Sequence, residues 1–561
     1  MQYSEYAVGR VLKYRFFDDR GFCENYIRQG MHRHSAPPKK IPLILSKPTF
    51  MPNYLVRTCD MKVVKGSEVQ EGYCTLSYSW NQSGEILLDE TTGKSYRIDQ
   101  GKHKIIFPGK TVRKKPRGRK RIPGKVKFVK FEELIQEICK DFNIKYIWYD
   151  QMCINQNHEE EKHDEIKQMH KIYGNAYCTL ALVPELTTVL SEPSPGMPLG
   201  GAFMDQDCWQ KAEWMKRMWT LEEAVMSSTL LFVGPNVHCW SYWLMQADFP
   251  VFHKNVDTDV ATLLHYAHTR TSTKDHDHIF ALANIFPDII KEIEIDYKQD
   301  IQELMVKFYG LLIKKDLGVL CFRPFSKSKK DNETNVVEYN SPMQKFDLPS
   351  WTGIDGEHFK YGYYKTAFTN YAISGRALQV TCRGMTNKQC YSEISSIASI
   401  KPEDIPPYPQ SKSSKYYEYW ILVISTWSPS FMQEKFIGIY SPPLEFTEID
   451  SKIHEEIIQK LRNISHFISI KEMNIQWVRS PCEIPISYLV FDDLSETLQD
   501  SEEYVILPEL RFTNHFFQST PNYSVIKKNG DHYKVVGMVQ TGQDEYLFDD
   551  FATEEQMFEI H

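Results

Sequence analysis

The sequence predicts an open α/β sheet flanked by helices in its N-terminal half, then a helical segment, then a mixed or mostly β C-terminal region. Three observations predict this. Between residues 73 and 234, runs of strand formers alternate with runs of helical periodicity. Residues 258–320 carry amphipathic helical runs such as VATLLHYAH and DIQELMVKFYGLLIKK. From about residue 350 the chain is rich in Ser, Tyr, Pro and β-branched residues, with short strand-like runs such as ALQVTCRG and YWILVIST.

The elements of the first region follow in order. YCTLSYSW (73–80) reads as a strand. FEELIQEICKDF (131–142) reads as a helix, because Phe131, Leu134, Ile135, Ile138, Cys139 and Phe142 share one face. KYIWYD (145–150) is the next strand, and 159–175 a second helix with Ile166, Met169, Ile172 and Tyr173 as its stripe. AYCTLALV (176–183) is a strand, 214–226 a helix and STLLFVG (228–234) a strand. Alternation at this spacing implies parallel pairing with right-handed crossovers. Open sheets of this kind bind ligands outside the carboxyl ends of their strands. Here those ends are Ser79 and Trp80, and Asp150 and Gln151. KYIWYDQMCINQ thus places Asp150 on a crevice rim; the competing reading is that Asp150 caps the element that follows or anchors a turn.

At 561 residues the chain is too long for one compact core. Its divisions are an N-terminal extension (1–45), an α/β domain (46–240), a helical segment with a polar linker (241–345) and the C-terminal region (346–561). The net charge of -7 is small for this length and favours no particular partner. The first residues carry charges through every apolar run and read as no signal peptide, and YWILVIS is too short to span a bilayer. Twelve scattered cysteines without a CxxC pair match reduced, intracellular usage. The expected location is cytoplasmic, with nuclear entry through a basic insertion at 110–128 kept open. That insertion, KTVRKKPRGRKRIPGKVKF, otherwise reads as a solvated surface loop. No aromatics interleave with its cations, so nucleic acid is not an expected partner.

Four segments stand together: YCTLSYSW, IWYDQMCINQ, EKHDEIKQMHKIYGNA and RMWTLEEA. In this order they resemble the HET domain of fungal heterokaryon-incompatibility proteins, whose pattern runs LSYxWG, W-[IV]-D-x-x-C-I-[ND]-Q, E-R-x-x-Q-V-x-x-M-x-x-I-Y-x-x-A and R-x-W-T-x-Q-E. HDHIFALANIF (276–286), EIDYKQDIQELMVKFY and LPSW (348–351) are weaker matches to later segments. Departures are Asn81 for the glycine after Trp80, Lys162 for Arg, Glu165 and Glu222 for Gln, and only Asp277 kept from a DPRD segment.

The resemblance implies cell-death or self/non-self signalling, self-association and a signalling protein partner. HET domains are themselves similar to TIR domains, which implies a flavodoxin/TIR-like parallel sheet. Some TIR domains cleave NAD with one glutamate, and the register puts Glu223 there. NAD would be a substrate; no cofactor is expected. Such cleavage builds positive charge on the ribose, which a nearby carboxylate stabilises. The resemblance thus implies Glu223 and Asp150 as catalytic residues, with Tyr78, Ser79, Trp80, Asn155, Gln156 and Trp219 on the substrate. Cys153 lies in an apolar frame and reads as an inert thiol. His158, His163, His170, His276 and His278 match no metal-ligand spacing, and no GxGxxG or P-loop is present. The rival reading is a non-enzymatic interaction module whose polar rim binds a protein. Convergence of Glu223, Asp150 and Trp80 on one concavity would separate the two.

Overall fold

The computed structural model describes residues 5–7, 41–79, 85–88, 95–98, 103–107, 111–114, 118–121, 125–155, 158–186, 188–190, 202–204, 212–234, 238–241, 259–324, 342–359, 363–366, 368–390, 420–428, 433–440, 472–479, 489–496, 498–499, 501–513, 521–541 and 554–561. The chain divides into two compact units, 1–258 with 270–299, and 259–269 with 300–561. The expected helical segment 241–345 is therefore shared between them.

The first unit is built on a seven-stranded sheet. Its strands are β1 (Tyr54–Arg57), β2 (Lys62–Lys65), β3 (Cys74–Tyr78), β4 (Tyr146–Trp148), β5 (Thr179–Leu182), β6 (Leu230–Val233) and β7 (His238–Trp240). Their spatial order is β7-β6-β5-β3-β4-β1-β2. The four central strands are parallel, and β7, β1 and β2 extend the sheet antiparallel. Every residue of β3, β5 and β6 is buried, as befits parallel strands covered on both faces. From β3 the chain passes to β4 on one side, and from β5 to β6 on the other. The order therefore reverses between β3 and β5.

Helix α1 (Phe131–Phe142) buries the six residues expected of it and ends on Asn143 in the left-handed conformation. It covers the face from which Tyr78 projects, with Tyr78 and Phe131 rings 4.9 Å apart. The one-turn α2 (Asp150–Cys153) cuts β4 short, because Cys153 N–H already bonds to Tyr149 O. Helix α3 (Glu159–Asn175) covers the opposite face, with Tyr173 edge-on to Trp148.

The helix expected over 214–226 is two helices, α4 (Glu213–Lys216) and α5 (Met218–Met226), with a corner at Arg217. A bridge between Arg217 and Thr271 makes the break: Met218 N–H donates to Thr271 O, and Thr271 N–H to Lys216 O. Helix α6 (Val260–Ala267) belongs to the second unit; α7 (Asp275–Ile285) and α8 (Pro287–Glu292) return to the first. Helix α7 packs on α5 and α3.

The basic insertion also departs from expectation. Thr111–Lys114 and Gly118–Arg121 pair antiparallel, and Lys125–Val129 pairs with His103–Phe107. The Pro-Arg-Gly between two basic runs is turn chemistry as well as loop composition.

The second unit joins α6 and α9 (Ile301–Lys315) to a largely antiparallel sheet. The expected strands ALQVTCR and WILVIST are present, as Ala377–Arg383 and within Trp420–Ser428. Trp351 of LPSW is fully buried within a 3-10 turn that ends at Gly353, φ +69°. A Cβ there would lie 2.5 Å from His358 Cε1 and 2.7 Å from Phe322 Cδ1. Gly353→Ala should therefore cost this unit about 2–4 kcal/mol through φ strain and overlap. Differential scanning calorimetry reads the loss, and an unchanged transition would refute it.

Candidate functional site

The site is built where α5 meets β3. Ser77 projects to the α3/α5 face of the sheet, and its hydroxyl donates to Glu223 Oε2. Trp214, held by α4, donates its indole N–H to Ser77 Oγ at 2.7 Å. The relay Trp214 to Ser77 to Glu223 fixes the carboxyl from one side. From another, Tyr173 hydrogen-bonds the same carboxyl and contacts Leu76 O at 3.3 Å. Glu223 is 6% exposed. Burial, with Asp150 adding to it, raises its pKa to about 8 against the pull of Ser77, Tyr173 and Arg217. The group is therefore mostly protonated at neutral pH.

Glu222, beside it, is fully buried, and neither of its carboxyl oxygens has a hydrogen-bond partner among the described residues. Burial and the Glu223 charge push its pKa well above the usual carboxylate range. Two adjacent glutamates on the buried stretch of α5 are thus held mostly as neutral acids.

Asp150 starts α2 at the carboxyl end of β4. It is half-buried, and its Oδ1 accepts from Tyr78 OH at 2.8 Å and from Gln151 N–H at 2.7 Å. The N-cap of α2 is Tyr149, so Asp150 does not cap that helix; its carboxylate is held by Tyr78 and Gln151. Tyr78 is 4% exposed, with its ring on Phe131. Its hydroxyl orients Asp150. Ser79 is buried, and its hydroxyl has no partner among the described residues. By strand alternation it lies on the Ser77 face, one pleat nearer the carboxyl edge. Asn155 donates to Glu161 Oε2 at 2.9 Å, which fixes the turn into α3. Trp80 and Gln156 lie outside the described residues.

Trp219 stands one turn before Glu223 yet serves another element. It is half-buried and donates to Asp277 of α7. The structure thus brings Glu223, Asp150 and Tyr78 into one electrostatic cluster and sends Trp219 elsewhere. Ser77, Trp214 and Tyr173 are the members that sequence reasoning missed. Ser77 and Tyr173 lay inside quoted motifs as strand and stripe residues; nothing local marked Trp214.

The α4–α5 corner is held by Arg270, 1% exposed. Its Nη1 donates to Arg217 O at 2.8 Å and to Thr220 Oγ1 at 2.9 Å. Cys153 is buried, and burial pushes its thiol pKa up, away from the reactive thiolate. His170 contacts Asn284 Oδ1 at 3.2 Å, and His276 contacts Gln299 O at 2.9 Å. Among the described residues no group of three His, Cys, Asp or Glu could hold a metal ion. Among the same residues no helix is long and apolar enough to cross a membrane.

No curated protein and no solved structure gave a significant match to the chain. A family model did: residues 73–190 match the model described as Heterokaryon incompatibility protein (HET). The match takes in β3, β4, α3 and β5, with Ser77, Asp150 and Tyr173, and stops before α5 and Glu223. The chain therefore carries a HET domain, which suggests a heterokaryon-incompatibility or cell-death role.

Proposed function

We propose that this chain is an effector of cell-death or self/non-self signalling that acts by hydrolysing NAD at its nicotinamide–ribose bond. One observation carries the reading. The Glu223 carboxyl lies against β3 beside the point where strand order reverses, oriented by Ser77, with the Asp150 charge within reach. The parallel order β4-β3-β5-β6 is that of flavodoxin-like sheets, which supports the TIR-like reading. In this mechanism Glu223 stabilises the oxocarbenium charge that builds on the ribose as nicotinamide departs. Asp150 holds a ribose hydroxyl, and water completes the hydrolysis. Self-association and a signalling partner belong to the same proposal.

Only ionised Glu223 can do this. With a pKa of about 8, roughly one molecule in ten is ionised at pH 7. NAD loss should rise with pH and level off above 8. The test is NAD consumption by concentrated protein, wild type against Glu223→Gln, from pH 6 to 9. A fall of about 100-fold or more in the variant is expected. Equal loss in both would move the chemistry away from Glu223.

One observation favours the interaction module instead: the carboxyl is nearly closed off from solvent. In that reading Glu223 is a structural acid holding α5 on β3. Folded, concentrated wild type that leaves NAD intact at every pH would decide for it.

A further inference from the structure

Away from the Glu222–Glu223 pair, the first unit gathers cations around one aromatic ring. Lys274 Nζ stands 4.1 Å from the centre of the Tyr297 ring, and Lys162 Nζ 5.9 Å. The His163 and His276 rings flank it at 6.1 and 5.8 Å. The Tyr297 hydroxyl donates to Asp277 at 2.7 Å, and Trp219 donates to the same carboxyl. Arg217 is next to this group, with Nη1 3.3 Å from Thr273 Oγ1. Its charge acts on both Asp277 and Glu223, so the cluster and the glutamate site share one field.

These cations are not placed for helix stability. Lys162 is in the first turn of α3, Arg217 directly precedes α5 and Lys274 directly precedes α7. A helix dipole disfavours positive charge at its N-terminus. Acids share the same turns, Glu159 to Glu161 on α3 and Asp275 and Asp277 on α7. Of these, Asp277 is bound by Tyr297 and Trp219, and Glu161 by Asn155. Helix α3, which carries Lys162, follows parallel β4 and so begins at its carboxyl end, the edge at which such sheets take ligands. The buried Ser79 hydroxyl, without a partner among the described residues, lies toward the same edge.

We propose that Lys162, Arg217 and Lys274 form a subsite for the diphosphate of a dinucleotide, beside Glu223. The proposal rests on the reading of NAD as substrate, and it adds where the phosphates sit. Three cations match a diphosphate's two charges with one left to offset Asp277.

Binding of ADP-ribose to the full chain, followed by isothermal titration calorimetry, tests it without any turnover. Adenosine, which has no phosphate, is the control. We expect saturable, salt-sensitive binding of ADP-ribose, weakened roughly 10- to 100-fold in Lys162→Gln/Lys274→Gln. Lys274→Glu alone, at an exposed position, should weaken binding similarly and guards against a folding defect in the double variant. The proposal is overturned if ADP-ribose does not saturate, binds the variants as tightly as wild type, or binds no better than adenosine. Intact NAD together with variant-sensitive ADP-ribose binding would sink the hydrolysis and leave the subsite standing.

Discussion

Glu223→Gln should stabilise the first unit at pH 8 and leave it almost unchanged at pH 4. The sign follows from linkage. The Glu223 pKa is raised from 4.5 to about 8 in the folded chain. Below pH 4.5 both states hold the proton, and the group contributes nothing adverse. As pH rises from 4.5 to 8, the unfolded chain releases its proton while the folded chain keeps it, so stability falls. Above 8 the loss is complete, at most about 5 kcal/mol for a shift of this size. Glutamine mimics the neutral acid, accepts from Ser77 and does not titrate. The variant should therefore melt roughly 5–10 °C above wild type at pH 8, with the gap closing toward pH 4. Melting curves of both proteins across this range check it. A gap that does not grow with pH would mean that Glu223 is ionised in its buried setting. The same substitution is expected to abolish NAD loss, so stability and activity would move in opposite directions, as at sites whose strain serves function.

Arg270→Met should cost the same unit about 3–5 kcal/mol. The guanidinium is buried and donates to the Arg217 carbonyl and to Thr220 Oγ1 at the α4–α5 corner. Methionine fills part of the volume and donates nothing, leaving a buried carbonyl without that donor. Trp214 sits on α4 and reaches Ser77 only through this corner, so the Glu223 relay should loosen with it. Arg270→Lys should restore little, because an ammonium cannot reproduce the planar fork of donors. Chemical denaturation gives the magnitude, and an Arg270→Met midpoint equal to wild type would remove Arg270 from the architecture.

Much of the fold was legible because its signals are local. The stripes of α1 and α3 repeat every three to four residues, and both helices run over the residues their periodicity marked. The buried runs of β3, β5 and β6 were legible in the same way, to within a few residues at their ends. Asp150 could be assigned to a strand end because a carboxylate closing an apolar run is unusual in a core.

The site was legible only in part. Quoted motifs contained Glu223, Asp150, Ser77 and Tyr173, yet gave Ser77 and Tyr173 no role. The break at Arg217 is made by Arg270 and Thr271, more than 50 residues further along, and no window around 214–226 contains them. That break lets Trp214 turn to Ser77 while Glu223 faces the same strand, and it separates Trp219 from Glu223 despite their shared spacing. By itself the sequence determined which segments are helix or strand and which residues carry charge, because periodicity and side-chain type are properties of neighbours in the chain. Only the tertiary structure decided that Glu223 and Glu222 hold their protons well above the usual carboxylate range and that Lys162 and Lys274 meet over the Tyr297 ring, because desolvation and long-range fields depend on what folding brings alongside.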